Sequence, residues 1–133
     1  MPKPRFSLRW MMIAVGVVAL LLFGEQMRRT RQDRLLRAAT YRQEERDWRK
    51  THLTLKRRID RGRDASPRYA KMSDEAFRRE IEGVRATSEN HRIWADYTHQ
   101  LAEWYGHGAS HPWSPLRNEP PVPHEIDGRT TSE

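Results

Sequence analysis

Six histidines and a scatter of carboxylates are the side chains in this sequence that could perform acid–base or metal chemistry. Metal binding needs three or four donors converging on one point, and the spacing does not supply them. His107 and His111 are four apart, but Gly106, Gly108 and Pro112 around them argue against the helix that would align the two rings. His91 and His99 are eight apart, too far along one helix to share an ion without help from a second segment. His52 and His124 have no obvious company. Glu44, Glu45, Asp47, Glu80 and Glu82 sit among arginines, which predicts solvated faces rather than a protected cleft with shifted titration. The sequence contains no cysteine, so thiolate ligands, thiol nucleophiles, disulfides and lipid-modified cysteine are excluded. It contains neither a Gly-rich phosphate loop nor a nucleophile elbow. The expectation is therefore a non-enzyme with no catalytic residue, no cofactor and no metal.

The stretch that organises the rest is Trp10 to Gly24, WMMIAVGVVALLLFG, which has no charged side chain. At about 1.5 Å per residue it spans roughly 22 Å, short of the roughly 30 Å hydrocarbon core of a bilayer. Counting from Phe6, with Arg9 snorkelling to the headgroups, extends it to about 28 Å. Ile13, Val15, Val17, Val18, Leu20, Leu21, Leu22 and Phe23 together favour insertion by roughly 2–5 kcal/mol. Residues 10–24 (6–24 on the wider count) are thus expected to form a transmembrane helix, with Trp10, Ile13, Val17, Leu21 and Phe23 among its lipid-facing side chains. The exit, LLLFGEQMRR, lacks the small-residue pattern of a signal-peptide cleavage site, which favours an uncleaved anchor.

The net charge of +7 is unevenly placed. The flank and span, residues 1–24, carry +3, residues 25–61 carry +7, and residues 62–73 carry +2. Residues 74–105 carry −3 and residues 106–133 carry −2, so the membrane-proximal half is basic and the distal half acidic. Arg28, Arg29, Arg31, Arg34 and Arg37 follow the span directly and are candidate contacts for anionic lipid headgroups, at about 1 kcal/mol per residue near the surface. The Arg-rich helix with Tyr41 and Trp48 also raises nucleic acid as a partner, but interleaved acids and the absence of a recognised motif disfavour it.

Residues 25–61 contain no Pro and no Gly, and Tyr41, Trp48 and Leu55 recur every seven residues, with Ala38, His52 and Ile59 near the same face and Leu35 and Leu36 one turn before. This predicts a basic helix that continues from the span, with Gly24 as a bend. Residues 62–73 form a connector: Gly62 ends the first helix in a left-handed conformation, Pro67 blocks continuation, and Ser73 caps the next helix ahead of Asp74 and Glu75. The second, acidic amphipathic helix is expected over 74–105, stopping at Gly106 and Gly108. Residues 106–133 hold five of the eight prolines and are expected to be an extended tail. Two helices of similar length and opposite charge, each with one apolar stripe, predict a long antiparallel helical hairpin, with pairing between two chains (a homo-dimer) as the alternative. Trp94, Tyr97, Leu101, Trp104, Tyr105 and Trp113 form the candidate interaction cluster, with Trp113 docked on the hairpin end.

Arg5-Phe6-Ser7-Leu8-Arg9, then Tyr97, Leu101, Ala102 and Tyr105, then Pro112, Trp113 and Pro115, and finally Pro120-Pro121 carry a resemblance. The sequence is similar there to a group of short, single-span membrane proteins abundant in planctomycetes, with an RFSLR-type start and a Pro-Trp stretch near the C-terminus. Thr98, Trp104 and Ser114 depart from that pattern, and residues 25–90 match in character only. The resemblance covers about a third of the chain and implies a single-pass protein of the bacterial cytoplasmic membrane; it brings no activity or cofactor.

These readings converge on an all-α architecture: flank 1–9, transmembrane helix, antiparallel hairpin and Pro-rich tail. Its expected role is a non-catalytic interaction or scaffolding module beside the bilayer, with membrane lipid and a protein partner as its contacts. The alternative is a basic juxtamembrane module that binds anionic lipid or nucleic acid. The charges leave the side of the hairpin open. Arginines after the span favour the cytoplasm, whereas a short basic start ahead of a first span favours export of the remainder.

Overall fold

The computed structural model describes residues 8–124; the remainder of the basic flank (1–7) and of the tail (125–133) lies outside the described residues. The described chain is almost entirely helical. Helix α1 runs from Leu8 to Arg61, a 3₁₀ turn follows over Gly62–Ala65, α2 is the single turn Pro67–Ala70, and α3 spans Asp74–Ser110. At about 1.5 Å per residue, α1 is roughly 80 Å long.

The apolar stretch and the basic helix are one element. The helix is unbroken at Gly24, where a lone helical Gly costs only about 1 kcal/mol. α1 is long and apolar enough to cross a membrane, and none of its apolar window is buried by the described chain. Leu20, Leu21 and Leu22 are 72%, 69% and 67% exposed, so no described segment supplies a soluble core for this stretch.

Beyond the apolar stretch, α1 packs along α3 in a hairpin-like arrangement. From Arg34 onward, the buried and half-buried positions on α1 are Arg34, Ala38, Tyr41, Glu45, Trp48, His52, Leu55 and Ile59, alternately four and three apart. On α3 a matching series includes Phe77, Ile81, Val84, Ser88, His91, Ala95, Thr98, Ala102, Tyr105 and Ala109. This is the spacing that keeps one seam facing a partner helix. The contacts run in antiparallel order: Arg34 meets Gly108, Tyr41 stacks on Tyr105, Glu45 meets His99, Trp48 meets Trp94, and His52 meets Ser88. Both helices contribute large side chains, and the small residues Ala38 on α1 and Ser88, Ala95, Thr98, Ala102 and Ala109 on α3 are buried and so let the helices approach. Leu35 and Leu36, expected on the stripe, are 48% and 68% exposed; Arg34 and Ala38 hold that face instead.

The connector behaves as its residues dictate. Gly62 adopts φ +56°, the Ser66 side chain caps α2 at Arg68 N, and the Ser73 side chain accepts from Ala76 N at the start of α3. The far boundary of α3 differs from expectation. The helix continues through Gly106, His107 and Gly108 to Ser110, five residues beyond Tyr105. Tertiary contacts at Gly108 outweigh its weak helix propensity, as the geometry of that end makes plain.

Candidate functional site

The most elaborately built part of the molecule is the end of α3 nearest the apolar stretch. Arg34, half-buried on α1, donates from Nη1 to the Gly108 carbonyl at 2.6 Å and the His111 carbonyl at 3.2 Å, and from Nη2 to the Ser114 carbonyl at 3.0 Å. A guanidinium is suited to this because its fixed fork presents several donors at once. It also places a positive charge at the negative end of the α3 dipole and satisfies carbonyls that a helix terminus leaves unpaired. Arg34, expected among the basic residues beside the span, is thus a latch whose guanidinium is taken up by backbone carbonyls.

The chain then folds back. Ser114 N donates to the His111 carbonyl at 3.0 Å, closing a turn, and Trp104 Nε1 donates to the Arg117 carbonyl at 2.8 Å. Leu116 seats against Gly108. A Cβ on Gly108 would run into the Leu116 side chain and stand 3.4 Å from Arg34 Nη1. Gly108 is thus required for close approach, not for ending a helix.

Of the expected cluster, Leu101 is 4% exposed and Tyr105 stacks on Tyr41 with ring centroids 5.6 Å apart. Trp94 packs against Trp48 and edge-on to Tyr97, and Trp104 packs edge-on to Tyr105. Trp113 does not join them. It is 65% exposed, with its ring edge against His111 at 5.7 Å. Leu116 and the Trp104–Arg117 bond fasten the tail in its place.

The other basic candidates divide. Arg28 and Arg29 both bond Glu25, and Arg37 bonds Asp33 while lying 5.6 Å from the Tyr105 ring centroid and 3.4 Å from its hydroxyl; Arg31 is exposed. The hydrogen bond to Tyr105 and the Asp33 charge hold the Arg37 guanidinium even more firmly protonated.

Two polar clusters interrupt the interface. The Glu45 side chain, expected on a solvated face, is only 16% exposed and meets His99 at 3.0 Å and Arg49 at 2.8 Å. Burial pushes its carboxyl up, but hydrogen bonds from His99 and Arg49 outweigh that and hold it below the ordinary carboxylate range. Arg49 also reaches Asp96 at 3.6 Å. His52, expected to lack company, lies 2.8 Å from the Ser88 carbonyl and 3.0 Å from Ser88 Oγ through Nδ1. A ring nitrogen that close to a carbonyl must carry the proton, so Nδ1–H donates and cannot take a proton from Ser88. With Ser88 itself 4% exposed, the pair has no activated nucleophile within reach of a substrate. His107 and His111 do approach, with ring centroids 5.1 Å apart, because α3 extends past Gly106; no third metal ligand joins them among the described residues.

At the opposite end, Tyr69 is fully buried, edge-on to Phe77 at 5.6 Å and covered by the Arg58 guanidinium at 5.0 Å from its ring centroid. Its hydroxyl has no hydrogen-bond partner among the described residues. Arg63 lies 5.0 Å from the Phe77 ring centroid, donates to the Met72 carbonyl at 3.2 Å and pairs with Asp74. Beside this plug, Thr54, Arg57, Arg58, Arg61 and Ala65 line a shallow cationic cleft.

No family model, no curated protein and no solved structure matches the chain.

Proposed function

We propose that this chain is a single-span membrane protein whose antiparallel hairpin stands off the bilayer as a non-catalytic interaction or scaffolding module. One observation carries the reading. The fully exposed apolar stretch is continuous, in a single helix, with the segment that builds the hairpin. Such a helix cannot leave that stretch in water without a large exposed apolar surface, and a bilayer covers it along its whole circumference. The beginning of the hairpin is then fixed directly on the membrane, and its tip stands about 55 Å beyond Gly24. The resemblance of the RFSLR start and the Pro-Trp stretch to short single-span proteins supports the same reading.

Alkaline carbonate extraction of cells making the full chain tests the anchor. The chain should stay with the membranes, and a fragment beginning at Glu25 should be released; release of the full chain would contradict the proposal. Ser73→Cys and Ser132→Cys, introduced separately into this cysteine-free sequence, then report the side. Labelling of intact cells by a membrane-impermeant maleimide places the hairpin outside the cytoplasmic membrane, and labelling only after lysis places it inside.

The basic-module reading is favoured by one feature, the exposed Arg28, Arg29 and Arg31 that follow the apolar stretch directly. It predicts salt-sensitive retention of the chain on anionic vesicles or DNA, since phosphate contacts weaken steeply with ionic strength. Retention that ignores salt counts against it.

A further inference from the structure

The turn at the base of the hairpin carries a large aromatic side chain that the fold leaves uncovered, and its height relative to the bilayer follows from the helix register. Arg34 is ten residues past Gly24, or about 15 Å along the helix. Arg34 contacts Gly108, so the antiparallel register carried three positions further sets His111 level with Arg31, about 10 Å past Gly24. Ser114 is drawn back to Arg34, Leu116 returns to Gly108, and Arg117 returns to Trp104. The tail therefore descends from Ser110, reverses at 111–114 and climbs again, which makes Pro112–Trp113 its lowest point.

The headgroup layer on each side of the hydrocarbon is roughly 5–8 Å deep, and an indole reaches several Å from its backbone. Resting on the membrane-span reading above, we propose that Trp113 is an interfacial anchor that inserts its ring into the headgroup layer of the membrane crossed by α1. An indole is suited to that depth because its body is apolar and its N–H finds polar partners there. The exposure of Trp113 supports this occupant, since its neighbour in the fold is the His111 ring edge alone among the ring contacts described. The charge at the same level is complementary: Arg28, Arg29 and Arg31 ring α1 where lipid phosphates would lie. The Arg34 latch, in this account, sets the depth of the anchor by holding both ends of its turn, the His111 and Ser114 carbonyls. The hairpin would then touch the bilayer at two points, α1 and Trp113, which restrains its tilt and rotation.

The test uses the full chain in lipid nanodiscs containing phosphatidylglycerol, with an environment-sensitive fluorophore on Ser114→Cys, on Val18→Cys in the span, or on Arg68→Cys near the tip. The Ser114 label should be shielded from aqueous iodide and quenched by a nitroxide placed shallow in the lipid. Trp113→Ser in the same background should abolish most of that quenching while the thermal melt stays unchanged. The Arg68 label should be open to iodide in both. A Ser114 label open to iodide while the Val18 label remains lipid-shielded would overturn the anchor and leave Trp113 for a protein partner. Iodide access at both Ser114 and Val18 would overturn the span and the anchor together. Quenching at Ser114 that survives Trp113→Ser would also refute the role of the indole.

Discussion

Replacing Arg34 by Met keeps the stem and removes the guanidinium, and its effect can be worked from the contacts. Three carbonyls at 2.6, 3.2 and 3.0 Å lose a charged donor, two of them at exposed positions where water replaces it. Hydrogen bonds to charged groups contribute about 1.5–3 kcal/mol when buried and far less when water competes, so the part-buried Gly108 bond dominates. Loss of a cation at the α3 C-terminus adds about 0.3–1 kcal/mol. The expected local destabilisation is about 2–3 kcal/mol, or roughly 30- to 150-fold faster amide exchange where opening limits it. Hydrogen exchange of the membrane-reconstituted chain should show this over residues 107–117 and leave residues 74–90 unchanged. Arg34→Lys should recover only part, because an ammonium presents a point charge and not a fork. Unchanged exchange in Arg34→Met would refute the latch. An equal loss of protection along all of α3 would show that Arg34 supports the whole hairpin and not its base.

Gly108→Ala should destabilise the tail by about 1–3 kcal/mol through overpacking against Leu116, whereas Gly106→Ala, which meets only Arg42 Nη2 at 3.8 Å, should stabilise α3 by up to about 1 kcal/mol; denaturant midpoints of the pair test the contrast. Tyr69→Phe removes a buried hydroxyl without a described partner and should leave the melting temperature equal or higher, while a clear drop would reveal a partner for that group. The Glu45 carboxyl is held low in the folded chain, so its contribution is present above the ordinary carboxylate range and is lost as pH falls through the folded value. The urea midpoint should therefore decline below about pH 4.5, less steeply in Glu45→Gln, with the exposed Glu89–Arg92 pair supplying a smaller part of the same slope.

Much of this architecture was legible because local signals were strong. The absence of Pro and Gly from 25–61, the left-handed Gly62 and the Ser73 cap placed two helix boundaries correctly, and Tyr41, Trp48 and Leu55 marked the seam. What escaped was polar chemistry at seam positions. Continuing the four-and-three spacing back from Tyr41 through Ala38 reaches Arg34, and continuing it forward reaches Glu45. The signal was present, but apolar counting passes over charged residues. The partners of Arg34 were beyond reach, because its acceptors are backbone carbonyls that exist only once the tail has reversed. The glycines misled for a related reason. Gly106 and Gly108 read as a helix end on propensity, yet the helix runs through both, and at Gly108 the packing of Leu116 and the latch require the lack of a side chain. Tyr69 was missed because a one-turn helix has no periodicity to reveal that it is buried.

The central claim is that one uninterrupted helix both crosses the bilayer and builds the hairpin. Nitroxide scanning of α1 in nanodiscs, at single cysteines from Ile13 to Arg42, tests it directly. The account predicts that labels up to Gly24 meet oxygen and not a water-soluble nickel reagent. The preference should cross over between Glu25 and Arg34, and the nickel reagent should then be excluded only along the Arg34, Ala38 and Tyr41 face. Nickel access throughout 13–24, or a break in helical periodicity at Gly24, would contradict it.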